Sequence, residues 1–552
     1  MNPSRFFPFS FILYLALSVP FAVAQKPKEL ELPKKESKTK KDPALDQYYV
    51  ANAAFNRKLY PVAVSQFEAF LEKNPAHSKA DLAGQGLALS LYALKQYEKA
   101  MPQLDALLKK EKLDPTVSRE RLVMLQGQCL MISGKRVDAK ALFLDEIKGL
   151  TDKSYRGAAL AAICDVSFSE KKWLDVEKWA VGLIASKPGP EGLARVLYQQ
   201  GYAKYQLKKP QEAVQSLVAI AALEANQLWS TRANYILGEC YNLLKEYAKA
   251  ERSFLAALPS LGPPESTECH YRLGITRFTL KKYSDCIEGL GKYIKDAPEG
   301  KHIGEATFYI ARANLEEKNY EEAGMAFASL VTGKGAMAAR SSLWHARVFA
   351  RNGKNYDKAS EILKDATVRF AESEIITDLR FDYANALMGK KDPDWESALA
   401  LLDEVHKDEK FVQLAELLIQ KSVCQQNLAD YENSLSSINE FISEFPEHPL
   451  IGIALFSKAE NLFLLNKIKE AAPAYANFMS KFPDHPNQLI AHFRVVQINH
   501  GQGQWEECLE ASASLLTKEL NGPLFAQLDF IIGDCSFRLE QWEEAIIHLE
   551  KF

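Results

Sequence analysis

The chain of 552 residues is short of everything that usually marks a reaction centre. It has no phosphate-binding G-x-x-x-x-G-K-[ST] loop, no G-x-S-x-G elbow and no dinucleotide G-x-G-x-x-G turn. Ten histidines are scattered without an H-E-x-x-H or an i, i+4 pair, and eight cysteines include no C-x-x-C, so no metal ligand set is legible and no cofactor or metal is expected. Charge of one sign is missing as well: 68 basic residues face 71 acidic ones, net −3, which gives no field for nucleic acid or an anionic surface. The string Asp392-Pro393-Asp394-Trp395-Glu396 opens like a calcium loop but carries Ser397 where the loop needs Gly.

What is present is repetition. An aromatic, two residues and a small residue return fourteen times, the small residue falling at Ala63, Ala100, Ala139, Val176, Ala213, Ala250, Cys286, Ala323, Ala359, Ala398, Ser434, Ala471, Cys508 and Ala545, with steps of 36 to 39. Three residues earlier stands Tyr or Trp, except at Arg136, Pro210 and Ile468. Four residues later comes an apolar side chain such as Phe67, Phe143, Phe254 or Leu549, and an i, i+4 pair lies on one helical face. Twelve residues earlier the position is kept small, as at Ala51, Ala88, Gly127, Gly201, Gly238 and Gly533, so that two helix backbones can approach closely. Twelve residues later Pro75, Pro188, Pro298, Pro446 and Pro483 stop the helix. Each unit therefore predicts helix, tight turn, helix, stop.

This order resembles the tetratricopeptide repeat (TPR), whose signature ends in A-x3-F and a closing Pro. The clearest unit runs Leu237-Gly238-Glu239-Cys240-Tyr241, then Tyr247, Ala250 and Phe254. The period of 37 exceeds the usual 34, with the surplus in links such as Phe445-Pro446-Glu447-His448-Pro449 and its counterpart from Phe482 to Pro486. Such links resemble those of extracytoplasmic bacterial TPR proteins of the outer-membrane assembly lipoprotein and TolA-binding type. The resemblance implies an all-α fold, an α-solenoid of about fourteen TPR-like hairpins forming a right-handed superhelix over residues 46–552.

Residues 1–24 read as a signal peptide: Arg5, an apolar stretch from Phe6 to Val19, then Ala22-Val23-Ala24. An uncleaved anchor is the competing reading, and no Cys near residue 25 supports a lipoprotein. Residues 25–45 read as a flexible tether; the stretch 26–42 holds seven Lys, four acids and no aromatic. An exported protein, periplasmic or outer-membrane associated, follows as the expectation.

Cysteines fall on repeat positions, Cys286 and Cys508 at the small site and Cys129, Cys240, Cys424 and Cys535 ten residues before one, which predicts buried thiols acting as small hydrophobes. A disulfide between stacked helices is the minority reading. His448, His485 and the related His77 occupy equivalent links and predict turn residues.

Eight residues before the small site, aromatics recur at Phe55, Tyr92, Phe168, Tyr205, Phe278, Phe463 and Phe537, with Arg351 and Gln426 breaking the stripe. The resemblance places this helix on the concave side, so Phe55, Tyr92, Phe168, Tyr205 and Phe278 are candidate contacts for a partner segment. The alternative is that these rings fill the hairpin's own interior. The function expected is a non-catalytic protein-interaction scaffold or assembly factor of the bacterial cell envelope that binds other proteins or peptide segments, with no nucleic acid and no membrane span after signal cleavage. The alternatives are a cell-wall polymer (peptidoglycan) binding protein, or the TPR arm of a larger protein. Apolar Ile546, Ile547 and Leu549 in the last helix suggest either further chain or docking there.

Overall fold

The computed structural model describes residues 42–223, 227–516 and 522–552, so the signal peptide and nearly all of the tether lie outside the described residues. Among these residues stand 28 α-helices and no strand. The first, α1 (Pro43–Asn56), starts inside the stretch read as tether, because Asp42 caps it: its Oδ1 accepts from the N–H groups of Ala44 and Leu45 at 3.0 and 3.3 Å, and Pro43 at the first position needs no partner.

The chain divides into two compact units, residues 1–281 and 282–552. The first holds six helical pairs: α1 with α2 (Tyr60–Lys73), α3 (Ala80–Ala93) with α4 (Tyr97–Leu108), α5 (Arg119–Ile132) with α6 (Arg136–Glu146), α7 (Lys153–Ser169) with α8 (Trp173–Ala185), α9 (Pro190–Gln206) with α10 (Pro210–Val218), and α11 (Gln227–Leu243) with α12 (Tyr247–Ala257), followed by α13 (Glu265–Thr279). The second opens on α14 (Tyr283–Asp296) and continues in pairs: α15 (Ile303–Glu316) with α16 (Tyr320–Val331), α17 (Ala336–Arg351) with α18 (Tyr356–Arg369), α19 (Ile376–Gly389) with α20 (Trp395–His406), α21 (Leu414–Asn427) with α22 (Tyr431–Glu444), α23 (Ile451–Leu464) with α24 (Ile468–Lys481), α25 (Gln488–Gly501) with α26 (Trp505–Leu516), and α27 (Gly522–Arg538) with α28 (Trp542–Lys551).

Every second helix begins on the residue three before the small site, whether that residue is aromatic or is Arg136, Pro210 or Ile468. The small sites are all buried, from Ala63 at 0% to Ala545 at 3% exposure. Close approach explains the paired glycines. A Cβ on Gly127 would lie 2.0 Å from Phe143, one on Gly238 2.5 Å from Phe254, one on Gly201 2.5 Å from Leu217 and one on Gly533 2.6 Å from Leu549. The first helix therefore rests its backbone on the apolar residue of its partner helix.

The tight turn uses a device that the sequence conceals. Lys58, Lys95, Lys171, Lys208, Lys245, Lys281, Lys318 and Lys354 sit at left-handed φ of 53 to 64°, five residues before each small site, where Gly134 and Gly503 take the same place in two other hairpins. In the first hairpin Lys58 N–H donates to Phe55 O at 2.8 Å and Leu59 N–H to Ala54 O at 2.9 Å, and Lys95 with Gln96 and Lys245 with Glu246 repeat the pair. These are the two bonds of a glycine-type helix stop, made here by lysine. Left-handed geometry costs an L-residue roughly 1 kcal/mol or more. Lys245→Gly is therefore expected to raise stability by about 0.5–1 kcal/mol and Lys245→Val to lower it, read as opposite shifts of the urea midpoint.

The links are shaped by histidine. His77, His448 and His485 each accept at Nδ1 from the backbone N–H two residues on, at 3.0, 3.3 and 3.1 Å. Each ring meets a buried Phe of the preceding helix edge-on, Phe70, Phe441 and Phe478, at 5.5, 5.7 and 5.1 Å between centroids. This bears out the turn reading and adds a capping role. Asp394 likewise caps α20, its Oδ1 accepting from Ser397 N–H at 3.0 Å, so the calcium-like string is a helix start.

Candidate partner-binding face

Within each unit the odd-numbered helices reach across to the odd-numbered helices of neighbouring hairpins, as α7 does to α9 and α17 to α19, and they form the inner layer. The candidate aromatics lie on these helices near the turn. All five, Phe55, Tyr92, Phe168, Tyr205 and Phe278, are half-buried. Three stack edge-on against the aromatic that opens their own partner helix: Phe55 on Tyr60 at 5.9 Å, Tyr92 on Tyr97 at 5.4 Å and Phe168 on Trp173 at 5.6 Å. For these three rings the packing supports the hairpin-interior reading of the stripe. Phe55, Tyr92 and Phe168 thus lock their hairpin turns while staying only half-buried, and Phe168 also packs on Tyr198 and Tyr202.

The hydroxyls of two of them are already engaged. Tyr92 Oη donates to Gln128 Oε1 of the next odd helix at 3.2 Å, and Tyr205 Oη donates to Glu239 Oε2 at 3.3 Å. Glu239 also pairs with Arg272 of α13 at 3.3 Å, and Arg272 with Glu268 at 3.2 Å. Burial raises the Glu239 carboxyl above its usual range while Arg272 pulls it back. Asp165 makes the same kind of link, accepting from Gln199 Nε2 at 2.7 Å and pairing with Arg195 at 3.1 Å; burial raises it too.

A polar ladder therefore ties successive odd helices together. It is spaced by one repeat, and single residues such as Glu239 and Arg272 gave no sign of it because the pairing appears only when sequence is read 33 residues apart.

The second unit carries its own version. Arg347 is held by Asp382 at 2.5 and 3.3 Å, and its guanidinium and that of Arg312 each lie over the Trp344 ring, at 4.5 and 3.3 Å from its centroid. Glu460 accepts from Nε and Nη2 of Arg494, at 3.0 and 3.1 Å, and from the Tyr475 hydroxyl. Arg494 lies over Phe463 at 4.7 Å. Arg351, where the aromatic stripe breaks, faces Glu316 at 3.5 Å.

At the last pair, Trp542, Ile546, Ile547 and Leu549 are exposed by 40 to 57%, and His548 Nδ1 meets Asp529 at 2.7 Å beneath them. All eight cysteines are free thiols and buried, as their repeat positions imply. Among the described residues no helix is long and apolar enough to cross a membrane, and no three His, Cys, Asp or Glu side chains gather in a group that could hold a metal ion.

The class defined by this architecture is an all-helical α-solenoid of hairpins. Residues 51–116 and 198–266 match the tetratricopeptide repeat family model. Similar solved structures are MamA 41-end from Desulfovibrio magneticus RS-1 (17% identity, TM-score 0.28, covering 33% of this chain and 97% of that one) and a tetratricopeptide repeat protein from Parabacteroides merdae ATCC 43184 (17%, TM-score 0.32, 48% and 98%). A third is Naa15/Naa10 bound to HypK-THB (12%, TM-score 0.34, 92% and 80%). A comparison with curated protein sequences gave no match.

Proposed function

We propose that the protein is a non-catalytic scaffold or assembly factor of the bacterial cell envelope that binds extended or helical segments of other proteins along the inner, odd-helix face of its first unit. One observation carries this reading: in that unit the rings of Phe55, Tyr92 and Phe168 are held by edge-on stacking yet remain only half-buried, on helices fixed by the polar ladder. Rings immobilised before binding lose little conformational freedom on contact, and aromatic anchors dominate interface energetics. Tetratricopeptide repeats generally serve protein binding, which supports the class of partner. The envelope setting rests on the apolar, A-x-A-ended stretch of residues 1–24.

The test is a pull-down from envelope extract with the full chain as bait, beside a Phe55→Ala/Phe168→Ala variant with unchanged circular dichroism. Specific proteins retained by the first bait and reduced at least tenfold by the second support the scaffold. Equal retention by both baits counts against the aromatic face. If instead cell-wall material is retained and lost in high salt, the lysine-rich segment 26–42 is the binding element and the polymer-binding alternative replaces this reading.

A further inference from the structure

The inner helix of one hairpin packs on the outer helix of the hairpin before it, and the repeat fixes which residues meet there. In the eleventh and twelfth hairpins the small site Ser434 meets Asn461, 27 residues on: Asn461 Nδ2 donates to Ser434 Oγ at 2.8 Å. The thirteenth and fourteenth hairpins place Cys508 and Cys535 at the same two positions, again 27 apart, on α26 and α27. Both side chains are 0% exposed and belong to one buried cluster where α26 packs against α27, with Cys508 Sγ donating to Val496 O at 3.5 Å. For Cys286, the other cysteine at a small site, the residue 27 positions on is Ala313 rather than a cysteine.

We propose that Cys508 and Cys535 are a redox pair that closes to a disulfide, stapling α26 to α27. The co-reactant is an exchangeable disulfide of the glutathione class. The Cys508 thiolate attacks one of its sulfurs, forming a mixed disulfide and releasing the first glutathione thiolate. Cys535 then gives up its proton and attacks Cys508 Sγ, expelling the second. Two cysteine thiols are oxidised, one glutathione disulfide is reduced to two thiols, and the two protons end on those thiols. Cys508 attacks first because its thiol is held below the usual thiol range by the Cys535 side chain, while the Cys508 side chain and burial raise Cys535.

The remaining six cysteines are buried in other hairpins and serve as internal controls. The test refolds the reduced full chain in a mixture of oxidised and reduced glutathione, alkylates free thiols after denaturation, and maps the peptides by mass spectrometry. The expected result is one peptide pair joined through Cys508 and Cys535, with Cys129, Cys164, Cys240, Cys269, Cys286 and Cys424 alkylated, and a higher urea midpoint for α26 to α28 in the oxidised chain. Cys508→Ala, which restores the residue found at most small sites, is expected to fold and to leave Cys535 fully alkylated. Alkylation of both thiols in the refolded wild type, or linkage of either to glutathione alone or to another cysteine, overturns the proposal.

Discussion

Gly127→Ala is expected to loosen the third hairpin by about 1–3 kcal/mol, the range for an overpacked core, although alanine is the better helix former by about 1 kcal/mol. The added Cβ would stand 2.0 Å from the tip of the Phe143 ring, and both neighbouring helices must spread to admit it. At these two positions other hairpins bury Ala88 with Leu104 and Ala386 with Leu402, and also Ala51 with Phe67 and Ala311 with Phe327, so the clash at Gly127 comes from where the Phe143 ring lies and a smaller side chain there removes it. Gly127→Ala combined with Phe143→Leu should therefore be more stable than Gly127→Ala alone, a coupling measured by a double-mutant cycle. Because a solenoid is stabilised pair by pair, hydrogen exchange in α5 and α6 is the sharper readout than a global melt. Unchanged protection in Gly127→Ala would contradict the close-approach account.

Arg494→Met is expected to cost the twelfth and thirteenth hairpins about 2–4 kcal/mol, near the range for breaking a buried pair and discounted because the arginine is a quarter exposed. Glu460, 12% exposed at its side chain, would keep only the Tyr475 hydroxyl as partner. Burial works against the charge on Arg494, yet Glu460 and Tyr475 raise its pKa overall, so the charge is held by its partners. Replacing the set together, Glu460→Leu with Arg494→Met and Tyr475→Phe, should recover most of the loss, since an apolar contact of similar volume needs no partner. Urea midpoints of the single and triple variants check this. A triple variant no better than Arg494→Met would show that the network contributes more than charge balance.

Much of the fold was legible because one constraint recurs. A small residue at 0 to 3% exposure, with an apolar residue four on and a small residue twelve back, can be satisfied only by two closely packed helices, and it fixed helix starts from Tyr60 to Trp542. Two things were not legible. The hairpin stop was hidden because lysine, a good helix former, occupies the left-handed turn where glycine or asparagine is the usual sign. The polar ladder was hidden because Glu239 with Arg272, or Glu460 with Arg494, look like ordinary surface charges until the solenoid brings them together. The same ladder qualifies the candidate site: Tyr92 and Tyr205 spend their hydroxyls on neighbouring helices, leaving ring edges rather than hydrogen bonds for a partner.

The account's central claim is that the first unit binds through its odd-helix face, and site-specific photocrosslinking in cells tests it most directly. A benzophenone amino acid replaces Phe55 or Phe168 on the inner helices, or Leu174 or Val181, which are 69 and 61% exposed on the outer helix α8. Discrete crosslinked protein adducts from positions 55 and 168, with none from 174 and 181, are the predicted result. Adducts confined to 174 and 181 would place the partner on the outer layer and contradict the account.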